Sequence, residues 1–139
     1  MVHWYEWRWQ MEDFHKALKT GCRMERHNLQ TIEAMWRLLA ILVPIALRLL
    51  AIRQAAQRPE EIAASQVVSS EALQVVTHLD HHSRTIRTVK DLWHAIARLG
   101  GYLDRKSDGP PGWQTLWKGW IRVMDVLEGV HLANLLHPS

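Results

Sequence analysis

The 139-residue sequence carries a single cysteine, Cys22, so no disulfide can close within it. It opens without a secretory leader, and the compartment expected is the reducing cytoplasm. Acidic and basic residues nearly balance at a formal charge of +3, so composition alone does not announce a nucleic-acid binder. Any DNA contact must come from local clustering. Convincing strand patterns are also missing, which excludes a sheet built from these residues. The longest uninterrupted apolar run, LLAILVPIAL at 38–47, is bounded by Arg37 and Arg48 and falls short of the roughly twenty residues that a membrane span needs. It reads as the middle of a buried soluble helix. A membrane-associated helical protein built on this run is the remote alternative.

What is present is apolar and helical. Hydrophobic residues make up 47% of the chain, enough for one domain with a modest core or for pieces of two. The eight tryptophans explain themselves by grouping: Trp4, Trp7 and Trp9 near one end, Trp113, Trp117 and Trp120 near the other, Trp36 and Trp93 between. Each terminal cluster mostly follows helical spacing, so packing is the default account, with Trp9 nearer a charged face.

The first twenty residues read as one amphipathic helix with two faces. Trp4, Trp7, Met11, Phe14 and Leu18 recur at steps of three and four and form an apolar stripe. Beside it Tyr5, Arg8, Glu12, Lys16 and Lys19 stack on a second face. A carboxylate set among cations suits metal ligation better than proton donation. The cations suit phosphate oxygens, Arg8 as a bidentate fork and Lys16 and Lys19 as point charges. Tyr5 offers a hydrogen bond or a stacking plane. The plain alternative is a solvated helix surface held by weak i, i+4 ion pairs.

The order Tyr5, Arg8, Glu12, Lys19, within RWQMEDFHKALKTG, resembles the YREK signature of cut-and-paste DDE transposases of the insertion-sequence-four family, transposon-five type. The resemblance implies that Glu12 is the last of three acidic ligands of a two-metal site holding Mg2+ or Mn2+. It implies that Tyr5, Arg8 and Lys19 hold transposon-end DNA, with Lys16 beside them. A two-metal site needs several hard oxygen ligands around ions about 4 Å apart; one glutamate does not supply them.

The remaining chain is expected to be helical with breaks. The first helix should stop at Thr20-Gly21, and Asn28 is a plausible N-cap for a second helix over 29–57, kinked at Pro44. Pro59-Glu60-Glu61 and Ser69-Ser70-Glu71 both read as helix starts. Between Leu73 and Thr88 the sequence is polar and loop-like; there His78 and His82, beside Asp80 and His81, sit one helical turn apart, a weak zinc signal without a further ligand. Thr88 and Asp91 form a shortened capping box for a helix with Val89, Leu92, Trp93, Ile96 and Leu99 on one face. Gly100-Gly101 ends it. After the breaker-rich loop YLDRKSDGPPG, with Arg105 and Lys106 at a solvated tip, a last helix over 113–136 places Trp113, Leu116, Trp117, Trp120, Val123, Met124 and Leu127 on one stripe.

The segment HAIARLGGYLDRKSDGPPGWQTLWKGW is similar to the C-terminal dimerisation domain of the same transposon-five type. The fold expected is all-α as it stands: residues 1–58 as the helical tail of a ribonuclease-H-like α/β catalytic domain, and residues 59–139 as an α-helical dimerisation domain. The resemblance puts two aspartate ligands and a sheet upstream of Glu12, so a chain opening four residues before Tyr5 is expected to be a truncated transposase without strand-cleavage activity. Its expected partners are transposon-end DNA and a second protomer, in a homodimer or a mixed dimer with full-length transposase, and no membrane. A dimerising interaction protein that inhibits a full-length transposase is the alternative.

Overall fold

The computed structural model describes residues 8, 11–21, 30–81 and 85–138. Among them the elements are all helical. Helix α1 covers residues 11–16 and continues into a π-helical turn, Ala17–Gly21. Then come α2 (Ile32–Gln57), a 3₁₀ turn (Ala64–Gln66), α3 (Ser70–Leu79), α4 (Val89–Leu99) and α5 (Trp113–Leu136).

Helix α2 begins where the Thr31 hydroxyl accepts a hydrogen bond from the Ala34 amide at 3.2 Å. Thr31 therefore takes the capping role expected of Asn28, which lies outside the described residues. The helix runs through Pro44, an exposed position. It ends because Arg58 precedes Pro59, whose ring disfavours the α conformation one residue earlier; Arg58 is extended, at φ −70° and ψ 145°.

Two sequence expectations are corrected just beyond. Pro59-Glu60-Glu61 does not start a helix. The chain bends over residues 58–60 and stays non-helical until Ala63 bridges antiparallel to Thr88, with the Ala64 amide donating to the Arg87 carbonyl at 2.9 Å and the Val89 amide to the Ile62 carbonyl at 2.8 Å. These bonds use the backbone groups that a helix would need for itself. The stretch from Leu73, expected to be loop-like, is helical as far as Leu79. Its start at Ser69 is as expected, with the hydroxyl accepting from the Ala72 amide. Ala72, Val75 and Val76 are buried on one side while Gln74, Thr77 and His78 face outward, a helical stripe that the polar run HLDHHS obscures.

Helix α4 is central and packs against α2, α3 and α5. Its capping box is complete: the Thr88 hydroxyl accepts from the Asp91 amide, and the Asp91 carboxylate accepts from the Thr88 and Arg87 amides. The backbone bond from Thr88, the largest influence, holds the Asp91 carboxyl below its ordinary 3.8. Val89, Leu92, Trp93 and Ile96 are buried, as their spacing predicts, and Leu99 is half-buried. Each such aliphatic side chain stabilises the fold by about 1.5–3 kcal/mol. They meet Leu49 and Ile52 of α2, Val76 of α3, and Leu116, Trp120 and Val123 of α5.

The crossing of α4 and α5 is closed by two glycines. A Cβ on Gly119 would overlap the Ile96 carbonyl, and one on Gly100 would overlap the Thr115 carbonyl. Gly100 caps α4, and Gly101 turns the chain away in the left-handed region, at φ +99°.

One charge is buried with its partner. Asp80, just past α3, accepts from Arg98 of α4 through both oxygens, the shortest contact being Nη2 to Oδ2 at 2.6 Å. The forked geometry suits guanidinium and carboxylate and fixes where α3 ends relative to α4.

The apolar middle of α2 is not buried all round. Leu42 and Ala46 are covered by α1 and the start of α5, and Leu49, Leu50 and Ile52 continue that stripe inward. Ile41 and Leu47 are exposed. The expected buried helix is thus buried along one stripe, because the described elements pack on one side of it. At 26 residues α2 is also long and apolar enough to cross a membrane by length and composition. Against that stand Arg48, which donates to the Val67 carbonyl at 2.7 Å and would sit near the middle of a spanning helix, at a costly depth, and Arg53, which is paired with Asp13.

Candidate functional site

Helix α1 carries the predicted charged face. Arg8 Nε lies 3.3 Å from Glu12 Oε1 one turn on, with both side chains open to solvent, at 75% and 48% exposure. Such a pair contributes under about 1 kcal/mol, so its geometry leaves both groups available to a ligand. Lys16 and Lys19 are exposed too. Lys19 falls in the π turn, where bonding to the fifth residue widens the helix, so its direction departs from the uniform spacing on which the face was drawn. Tyr5, Trp4, Trp7 and Trp9 lie outside the described residues.

On the opposite face Ala17 is buried and Phe14 and Leu18 are half-buried against Leu38, Leu42 and Ala46 of α2 and Trp113 and Trp117 of α5. Met11, expected on the same apolar stripe, is 58% exposed: nothing among the described elements reaches as far as that turn. Asp13 points inward to Arg53 of α2, with Oδ2 3.1 Å from Nη1.

Whether these residues fit a metal ion can be judged from their donors. Among the described residues no three His, Cys, Asp or Glu side chains gather where an ion could be held. Glu12 is one carboxylate whose near neighbour is a guanidinium, and by itself it does not make a site for Mg2+ or Mn2+. His78 and His81 are exposed, and His82 lies outside the described residues.

The second candidate surface is the far half of α5. Of the stripe read from the sequence, Leu116, Trp120 and Val123 are core, Trp113, Trp117 and Leu127 are half-buried, and Met124 is exposed. Beyond Leu127 the apolar side chains lose their cover, although His131 Nε2 still lies 3.9 Å from Glu71 Oε2 of α3: Val130, Leu132, Leu135 and Leu136 are all exposed, the last two at 76%. Sequence reading stopped the stripe at Leu127. The signal that could have extended it was the apolar end ANLL in a helix whose preceding turns are already committed to the core. Next to Met124 and Leu127 a largely apolar groove of about 370 Å³ opens between α2, α3 and α5, lined also by Pro44, Ile45 and Trp120. The groove and the uncovered leucines at the end of α5 are the candidate apolar surfaces among the described residues.

Arg53, Asp80 and Arg98 were not anticipated as paired groups, since their partners lie 40 and 18 positions away in the chain, where no local period reports them. The comparison with known families yields a match to the transposase Tn5 dimerisation domain over residues 45–137, from within α2 to just past the end of α5.

Proposed function

Because the chain belongs to the transposase Tn5 dimerisation domain family, we propose that it acts in DNA transposition as the part of a transposase that pairs two protomers and lends one face to transposon-end DNA. The observation that carries this reading is the coincidence of the match with a helix, α5, whose last two turns leave Leu132, Leu135 and Leu136 uncovered. Two copies would bury Leu132, Leu135 and Leu136, which lie within about 100° of one another around the helix, against their counterparts, as apolar interface cores do. Arg8, Lys16 and Lys19, with Tyr5, would contact phosphate oxygens, and Glu12 would be one carboxylate of a Mg2+ or Mn2+ site completed by ligands from elsewhere. No cleavage step is assigned to the described residues.

Dimerisation is tested by sedimentation of the whole chain across a concentration range: a monomer–dimer equilibrium is expected, and Leu135→Glu with Leu136→Glu should leave monomer alone. DNA contact is tested by the salt dependence of duplex binding. Arg8→Ala or Lys19→Ala should lower the slope by about one phosphate contact each; an unchanged slope would count against phosphate contact.

A second reading rests on the same α5 end. A chain able to pair but carrying one candidate metal ligand among its described residues would inhibit a full-length transposase by forming mixed dimers. Co-expression separates the two: loss of transposition with co-purification supports inhibition, and unchanged transposition without it excludes inhibition.

A further inference from the structure

Helix α1 is seated on apolar side chains: among the described residues Ala17 is buried and Phe14 and Leu18 are half-buried, and they meet Leu38, Leu42 and Ala46 of α2 and Trp113 and Trp117 of α5. Such apolar contact is non-directional. A polar joint adds a directional restraint on the rotation of the helix. Arg53 Nη1 lies 3.1 Å from Asp13 Oδ2, and the same guanidinium stands 4.8 Å from the centroid of the Trp113 ring at the start of α5. Both partners of the ion pair are only about 30% exposed, at 27% and 32%, which limits solvent screening. Cation and ring attract through the ring quadrupole.

We infer that Arg53 is a positioning residue that orients the Glu12 face of α1 relative to the dimerisation helix α5. Asp13 follows Glu12 directly, so pinning Asp13 inward turns Glu12, Lys16 and Arg8 outward about one helix axis. Trp113 and Trp117 touch both the α1 seat and the main core. The joint therefore transmits the orientation of α5, and with it of a paired copy, to the charged face of α1. The inference rests on the proposed DNA contact of that face for its consequence, though not for its geometry.

The test reads geometry and binding separately on the whole chain. Nitroxide labels at His15→Cys and Lys118→Cys, in a Cys22→Ser background and diluted into unlabelled chain, report the distance between α1 and α5 within one protomer. Arg53→Met and Asp13→Asn should each broaden that distance distribution, while Arg53→Lys, which keeps the charge, should leave it narrow. Asp13→Asn guards against misfolding, since it leaves Arg53 on Trp113. In parallel, Arg53→Met should weaken binding of a fluorescein-labelled DNA duplex roughly three- to tenfold, with the melting temperature and the dimerisation constant held. A distribution as narrow in Arg53→Met and Asp13→Asn as in the parent chain overturns the inference. So does a broadened distribution with duplex affinity unchanged, where Lys16→Ala does weaken binding. If Lys16→Ala leaves binding untouched as well, the proposed DNA contact fails, and the distance arm alone decides the role of Arg53.

Discussion

Leu49 and Ile52, in the last third of α2, are nearly fully buried, whereas Ile32 and Trp36 at its start are 71% and 65% exposed. Both stretches belong to one unbroken helix and are comparably apolar. What separates them is the neighbours within reach. The C-terminal third lies across α4, whose face is itself apolar, and joins a core closed on several sides by α3 and α5. The first turns, through Trp36, put no side chain into the core, and cover begins at Leu38, which meets α1. Burial is therefore a property of the packing partner more than of the buried residue: the start of α2 is a face without a described neighbour, and the end of α5 is the surface proposed above for pairing.

This contrast can be broken most severely at the helix crossing. Gly119→Val places a branched side chain where even a Cβ overlaps the Ile96 carbonyl, and should cost more than about 3 kcal/mol, leaving no cooperative melting transition. Next in size, Leu92→Ala in the closed core should lower stability by about 3 kcal/mol in urea unfolding, while Trp36→Ala on the uncovered third should change it by less than about 0.5 kcal/mol. Equal losses for the two would mean that the start of α2 is covered in solution.

A smaller effect is expected from the buried pair. Asp80→Ala leaves the Arg98 guanidinium, about a quarter exposed, with the more distant Asp104 carboxylate, 4.0 Å from its Nη1, so the cost should be about 2 kcal/mol, below the range for fully enclosed pairs. Asp80→Leu combined with Arg98→Met should recover part of it. The smallest loss among the polar groups concerns the α4 cap. The folded Asp91 carboxyl lies below its unfolded value of 3.8, so its contribution is present above that value and is lost as pH falls through the folded one. Asp91→Asn should cost about 1 kcal/mol at neutral pH and flatten the acid limb of the stability profile below about pH 4; an acid limb as steep as the parent's would assign the acid sensitivity to other carboxylates.

Much of α4 and α5 was legible in the residues. Thr88 with Asp91, the three- and four-residue spacing of Val89, Leu92, Trp93 and Ile96, and the glycines after Leu99 define α4 by local chemistry, and the structure has each where expected. Ser69 marked the start of α3 correctly, yet its body was hidden because Val75, Val76 and Leu79 are interrupted by polar residues that face solvent. Pro59 misled in the other direction: proline suits a first helical turn, but it acts equally on the residue before it, and here it ended α2. The charged face of α1 was visible as spacing. Its π turn and its inward anchor at Asp13 were not, since both depend on what lies against the helix.

By itself the sequence determined the helical class and the ends of α4 and α5, because caps, breakers and hydrophobic period act within a few residues of chain. Only the tertiary structure decided which stripe of α2 is covered, that Gly100 and Gly119 allow two helices to touch backbone to backbone, and that Arg53 and Arg98 find their carboxylates across the fold. Those outcomes depend on which surfaces meet, and contact between residues distant in the chain leaves no periodic trace in it.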